Sequence, residues 1–497
     1  MTKDLSRLFF YCAICVCLAA ASGAQQARPA LTIDSRLNSD LVHLGGQMML
    51  AGQAYEYDRQ LADGIGPRLT GSANYVRAAE WAEAEFKRLG LQNVHGESWE
   101  IPATWESETT AVAHMIAPHQ QRLYLESEGW SPSTPTGGVR GNVYYLDEVS
   151  LDVVKARADK IKGNIVLVDA KSLFKHVDDG VAKLFDAMNL LRDEGARALV
   201  LGLGTANNAP SVIGNTSFTG ALANIVTATM GQEDTLLIKR LLEKGPVEIE
   251  FSFTNRIREH VKVDNVVAEI PGRENNGEYV VIGGHLDSWH PGTGAQDDGT
   301  GAATALAVAQ AVKASGLTPR RTMRFILFGG EEEGLIGSLH YAREHAQDSG
   351  KCVGVFVSDT GAEPPKGWVA FGRKDETDAL ASIKPLLESL GAADISNEGG
   401  ITFSTDAGPF VARGVPAFLL WTSMERYQTL HHKPGDTFDK VNQRDLNLGA
   451  AVVGITAYAV ADAPETLKHY SDAEMEAQLK EIKALTAYKD MKNHNLF

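Results

Sequence analysis

Cysteine is scarce in this sequence, and its placement excludes a cross-linked scaffold. Of four cysteines in 497 residues, Cys12, Cys15 and Cys17 crowd the N-terminus and Cys352 stands alone in the rest. Stability must then come from an apolar core, with metal as a further source. Cys352 opens the apolar run "KCVGVFVSD" and reads as packing, not as a nucleophile. Basic charge is short as well: 47 Lys and Arg face 63 Asp and Glu, for a formal charge of −16. That deficit argues against a general nucleic-acid binder, which needs basic surface to neutralise phosphates. Long apolar runs are missing too, and none approaches the roughly 20 residues of a membrane span.

What is there begins with an address. Lys3 and Arg7 precede an apolar run from Leu8 to Ala21, and small residues follow at Ser22 and Ala24. These are the three regions of a secretory signal, so 1–24 is expected to be removed on export to the periplasm or medium, leaving no membrane attachment. Cleavage there would leave Cys352 as the one remaining cysteine. Asn215 in "NTS" is a glycosylation sequon if the host glycosylates.

Apolar residues make up 44% of the chain, enough for the cores of two domains or more. "GPRLTGSANYVRAAEWAEAEFKRLGL" predicts a loop feeding a helix, with Ser72 capping its start and Gly90 ending it. Between 130 and 240, "KGNIVLVDA" and "GARALVLGLG" read as strands around a helical stretch, without a His, Asp and Glu cluster, and suggest an inserted module. From about Lys262 the strands "EYVVIGG", "TMRFILFGG", "CVGVFVSD" and "PAFLLWT" alternate with helical stretches. Such alternation predicts an α/β fold, a mostly parallel central sheet with helices on both faces. Residues 471–497 form a helical tail opened by a capping box, Ser471 with Glu474.

The chemistry gathers where those strands end. His285 and Asp287 follow "VVIGG"; Asp297 and Asp298 sit in the glycine-rich "GAQDDGTG"; Glu331 and Glu332 follow "RFILFGG". Asp359 ends "VGVFVS", and His431 and His432 lie beyond "PAFLLWT". Loops at the carboxyl ends of strands in an open α/β sheet converge on one crevice. Imidazoles mixed with carboxylates, with no thiolate, suit zinc or a similar transition metal at a hydrolytic site. Two histidines and three carboxylates exceed one tetrahedral catalytic ion, but fit two ions about 3.5–4 Å apart bridged by a carboxylate. His290 and His340 fit no ligand spacing and read as packing or surface.

In order, "GPRLTGS", "GHLDSW…GAQDDGTG", "GGEEEG", "VSDTG" and "HHKPGDT" resemble the co-catalytic zinc peptidases that include secreted bacterial aminopeptidases. "GGHLDSW" and "HHKPGD" are most similar to the carboxypeptidase Q branch. The resemblance implies a discontinuous two-zinc peptidase domain over 41–129 and 241–470, with a protease-associated domain inserted at 130–240. It implies that Asp297 bridges two zinc ions, that His285 and Asp359 complete one site, and that Glu332 and His432 complete the other. Glu331 would be the general base and Asp287 would orient His285. The family spacing selects His432 over its neighbour His431. It leaves Glu333 a solvated acid at a helix start, and Asp298 serving the turn or the helix after it.

The activity so implied is exopeptidase cleavage of short peptides, in particular dipeptides with a free N-terminus, by a chain that pairs as a homodimer. Aminopeptidase action on longer chains is the alternative, and a one-zinc glutaminyl cyclase a more distant one, disfavoured by the full five-ligand set. A non-catalytic scaffold would have lost ligands. A two-metal phosphatase would carry a basic cluster beside the motifs, and none is seen; Arg320 and Arg321 precede a strand, away from its catalytic end.

Overall fold

Alternation of short apolar runs with helical stretches becomes two eight-stranded sheets in the computed structural model, which describes residues 30–175, 181–214, 222, 224–396, 402–493 and 495–496. The expected signal at 1–24 and the sequon at Asn215 lie outside the described residues. Among those residues, no helix is long and apolar enough to cross a membrane.

The first sheet is made of β1 (Gln92–Ser107), β2 (Asn255–Ile270), β3 (Tyr279–His285), β4 (Thr322–Phe328), β5 (Cys352–Val357), β6 (Pro365–Val369), β7 (Asp394–Ser396) and β8 (Ala417–Thr422). They lie in the order β1-β2-β4-β3-β5-β8-β6-β7, and β4, β3, β5 and β8 run parallel at its centre. Every residue of β3 is buried, as a strand covered on both faces requires. Side chains alternate between the two faces: Val280 and Ile282 enter one core, Tyr279 and Val281 the other. The first core holds α1 (Ser35–Ala51), α2 (Ala73–Arg88), α3 (Thr300–Ser315) and α4 (Gln443–Asp462). The second holds Tyr341, Met475, Leu479 and Tyr488, so the helical tail packs on this sheet. The α/β fold with helices on both faces is therefore observed, with antiparallel strands at the sheet's margins.

Ser72 caps α2 as its position predicts, accepting the Tyr75 amide, and the Ser471–Glu474 capping box is formed. Cys352 is buried and unpaired. The second sheet draws its strands from Val112–Ala117 to Glu248–Ser252 and encloses two cores of its own. It joins the first through the long antiparallel ribbon of β1 and β2.

Candidate metal centre

Glycine at two places explains how the loop after β3 reaches back over its own strand. A Cβ on Gly284 would lie 2.5 Å from Asp298 Oδ2, and one on Gly301 would lie 2.1 Å from the same oxygen. With both side chains missing, the Asp298 carboxylate slots between them. It accepts the His285 amide at 3.1 Å and the Gly301 amide at 2.8 Å, tying the strand end to the start of α3. Asp298 thus serves the turn and the helix, and Asp297 is turned the other way.

Two charged residues far away in sequence fix the rest of the loop. Arg68, from "GPRLTGS", is fully buried and donates to three backbone carbonyls: Leu286 at 2.6 Å, Thr293 at 2.9 Å and Gly294 at 2.8 Å. Asp436, from "HHKPGDT", accepts the amides of Gln296 at 2.7 Å and Asp297 at 3.2 Å. Its carboxyl is raised to about 7, by burial first and then by the charge of Asp297. In the sequence Arg68 and Asp436 stand only as members of the motifs "GPRLTGS" and "HHKPGDT". A buried arginine that saturates carbonyls leaves no local pattern.

The loop sets Asp297 between His285, at the end of β3, and His432, in the loop beyond β8. Its Oδ1 lies 3.3 Å from His285 Nε2, and its Oδ2 lies 3.3 Å from His432 Nε2. Asp359 Oδ1 comes within 3.4 Å of His285 Nε2, and Glu332 Oε2 within 3.0 Å of His432 Nε2. His285 Nδ1 faces the backbone carbonyl of Asp287 at 3.1 Å and its carboxylate at 3.5 Å, so both parts of Asp287 bear on the ring. The other Asp287 oxygen accepts the Glu332 amide at 3.3 Å. Glu331 Oε2 stands 4.0 Å from His285 Nε2 and lines the open cleft.

His431 and Glu333 stand otherwise than the sequence suggested. His431 Nε2 is 3.5 Å from Asp297 Oδ2, and its ring stacks on His432 with centroids 3.6 Å apart. Geometry therefore admits His431 beside His432, although its side chain is 43% exposed against 14%. Glu333 is not a solvated acid: it is 3% exposed and packs beside Asp287 and Thr70. The turn after Gly330 points it inward, where burial and the Asp287 charge push its carboxyl up. Asp406, in "GITFSTDAGPF", is another buried acid missed from sequence, raised to about 8 by burial and opposed by His285.

Electrostatics and bonding both call for cations here. Burial drives the carboxyls of Glu331 and Glu332 well up, and neighbouring acids push them further. His285 is held up despite its burial by the carboxylates of Asp287, Asp297 and Asp359. His285 Nε2, Asp297 Oδ2 and Glu332 Oε1 are buried with no hydrogen-bond partner. Donor atoms of His285, Asp297 and Asp359 lie within 4.8 Å of one another, as do those of Asp297, His431 and His432. Asp297 belongs to both groups. Buried donors without partners, in sets of mixed nitrogen and oxygen, fit divalent transition metals.

The chain has relatives among known proteins. Residues 265–454 match the sequence profile of Peptidase family M28. Over that stretch the chain is similar to the peptidases of family M28. Bovine carboxypeptidase Q is 29% identical over 417 residues, covering 84% of this chain and 86% of its own. The crystal structure of a peptidase M28 precursor from Shewanella amazonensis superposes with a TM-score of 0.77 at 27% identity, covering 87% of this chain and 98% of its own. A zinc aminopeptidase from Bacillus subtilis shares the fold at a TM-score of 0.62 and 20% identity, covering 84% of this chain and 98% of its own. A cleft of about 580 Å³ adjoins the buried donors, lined by Phe403, Leu419, Trp421 and Met424 together with Glu331 and Glu332.

Proposed function

We propose that this protein is an exported two-zinc exopeptidase that cleaves short peptides, dipeptides with a free N-terminus above all. The observation that supports it most is Asp297, whose two oxygens face two separate sets of donors. His285, Asp297 and Asp359 would hold one ion, and Asp297, Glu332 and His432 the other. Zinc bound there supplies Lewis acidity toward the scissile carbonyl and makes water a stronger acid. Glu331 takes one proton from the attacking water and delivers it to the leaving nitrogen as the carbon–nitrogen bond breaks. Asp287 holds the His285 ring in one orientation, and the apolar cleft walls exclude bulk water from the reacting atoms. The N-terminal segment, with its charged, apolar and small-residue regions, supports export.

The demand for a free N-terminus rests on charge. Among the described residues lining the cleft there is no Arg or Lys to hold a free carboxylate, whereas Glu331, the carboxylate there that is assigned to no metal, can face a substrate ammonium. The same observation favours a second reading, an aminopeptidase acting on longer chains. Mass analysis of products from free, N-acetylated and C-amidated di- and tripeptides separates them. Unblocked dipeptides should be cleaved, N-acetylated ones should resist, and tripeptides should be slower. Rapid trimming of C-amidated tripeptides would select the aminopeptidase reading, and efficient cleavage of N-acetylated peptides would defeat both.

A further inference from the structure

The loop 203–214 leaves the second sheet after the strand Ala198–Gly202 and ends against the metal centre of the first. Val212 is fully buried, and it belongs to the core of the first sheet although its neighbours in sequence pack in the second module. Its amide donates to the carbonyl of His432 at 2.9 Å. The His432 backbone is thus held from Val212, while its Nε2 faces Glu332 and Asp297. His432 needs holding, since it has φ of +58°, the left-handed region that a histidine adopts rarely.

The loop is fixed in turn by the second module. Buried Glu128 accepts the Ile213 amide at 2.6 Å, the Gly129 amide donates to the Ile213 carbonyl at 3.1 Å, and Thr229 Oγ1 donates to the Ser211 carbonyl at 2.9 Å. Next along the chain, Trp130 meets Trp289 edge to face at 5.9 Å, and Trp289 lies 5.9 Å from the His432 ring. A Cβ on Gly129 would lie 2.3 Å from the Trp289 ring, so the module's backbone fits directly against that indole.

We propose that Val212 is a positioning residue for His432, and that the second module thereby builds one of the two metal sites. Groups around a metal-binding imidazole fix its orientation and tune the site. Here the backbone of His432, and through Trp130 the indole beside its ring, are braced by a module without a ligand of its own. The inference rests on His432 being a ligand, as proposed above.

Hydrogen–deuterium exchange on the wild-type chain, with zinc and after chelation, tests it. Loss of zinc should speed exchange at 211–214 and leave the strand Ile165–Asp169 of the same module unchanged; equal exchange at 211–214 in both states overturns it. Zinc titrations of variants give a second measure. Glu128→Leu removes the acceptor of the Ile213 amide and should weaken one of two zinc sites by about 10-fold, the low end for losing a group that orients a ligand. Glu128→Gln keeps an acceptor and should bind as the parent does. His432→Ala separates the two readings. If it still binds two ions, His432 is no ligand; if it binds one while a folded Glu128→Leu keeps both at full affinity, the positioning role is refuted. Should Glu128→Leu fail to fold, the wild-type exchange decides.

Discussion

At the scale of single residues, Glu331 and Glu332 are neighbours in sequence with different surroundings. Both line the cleft, but Glu332 Oε2 lies 3.0 Å from His432 Nε2, while Glu331 Oε2 stands 4.0 Å from His285 Nε2. Glu331→Gln should therefore keep both metals and the fold while losing about 10²–10⁴ in rate, the range for a positioned proton-transfer group. Metal analysis beside steady-state kinetics checks this, and loss of an ion would mean the two roles are exchanged. His290 makes a different point. Its ring is buried against Trp105 at 4.7 Å, neither nitrogen has a partner, and burial lowers its pKa from 6.5 to about 4. The unfolded chain then binds a proton between pH 6.5 and 4 that the folded chain refuses. The stability this gives is present above pH 6.5 and is lost as pH falls toward 4. His290→Phe should flatten that part of the curve, by about 3 kcal/mol at its acid end, in denaturant titrations at a series of pH values.

At the scale of elements, the site is made by strand ends and by one loop that two distant charges hold in shape. Asp436→Ala would strip the amides of Gln296 and Asp297 of their acceptors, at a cost of about 1–3 kcal/mol for each buried donor. Because Asp297 faces both donor groups, zinc should weaken at both sites, where His432→Ala weakens one; calorimetric titration distinguishes a double from a single loss. The strands, the helix faces and the glycine-rich loop were legible because each imposes a local period or a backbone need. The convergence of His285, Asp359 and the pairs Asp297–Asp298, Glu331–Glu332 and His431–His432 was legible from where strands stop, whereas the choice within each pair came from the family resemblance. Arg68 was not, because its partners lie more than two hundred residues on and are carbonyls, which any residue supplies. Glu333 misled for a related reason: three consecutive acids look solvated in sequence, and only the turn after Gly330 decides which faces inward.

At the scale of the whole molecule, the donors run from His285 at the end of β3, through the loops after β3, β4 and β5, to His432 in the loop beyond β8. Ions bound between them would tie together elements that otherwise meet only through the sheet and its two cores. A ligand that binds the folded state alone stabilises it by RT ln(1 + [L]/Kd), about 4 kcal/mol per site at a thousandfold excess over Kd. For a domain of this size that corresponds to an upward shift on the order of 10 °C. Scanning calorimetry with zinc and with chelator should show that shift in the transition of the first sheet. The second module has two cores of its own, so its melting could be independent of metal. Val212, however, lies in the core of the first sheet and bonds His432. The expected outcome is therefore a module that melts with the zinc-dependent transition in the loaded protein and ahead of it after chelation. A module transition at the same temperature in both states would show that the two halves share a chain but no stability.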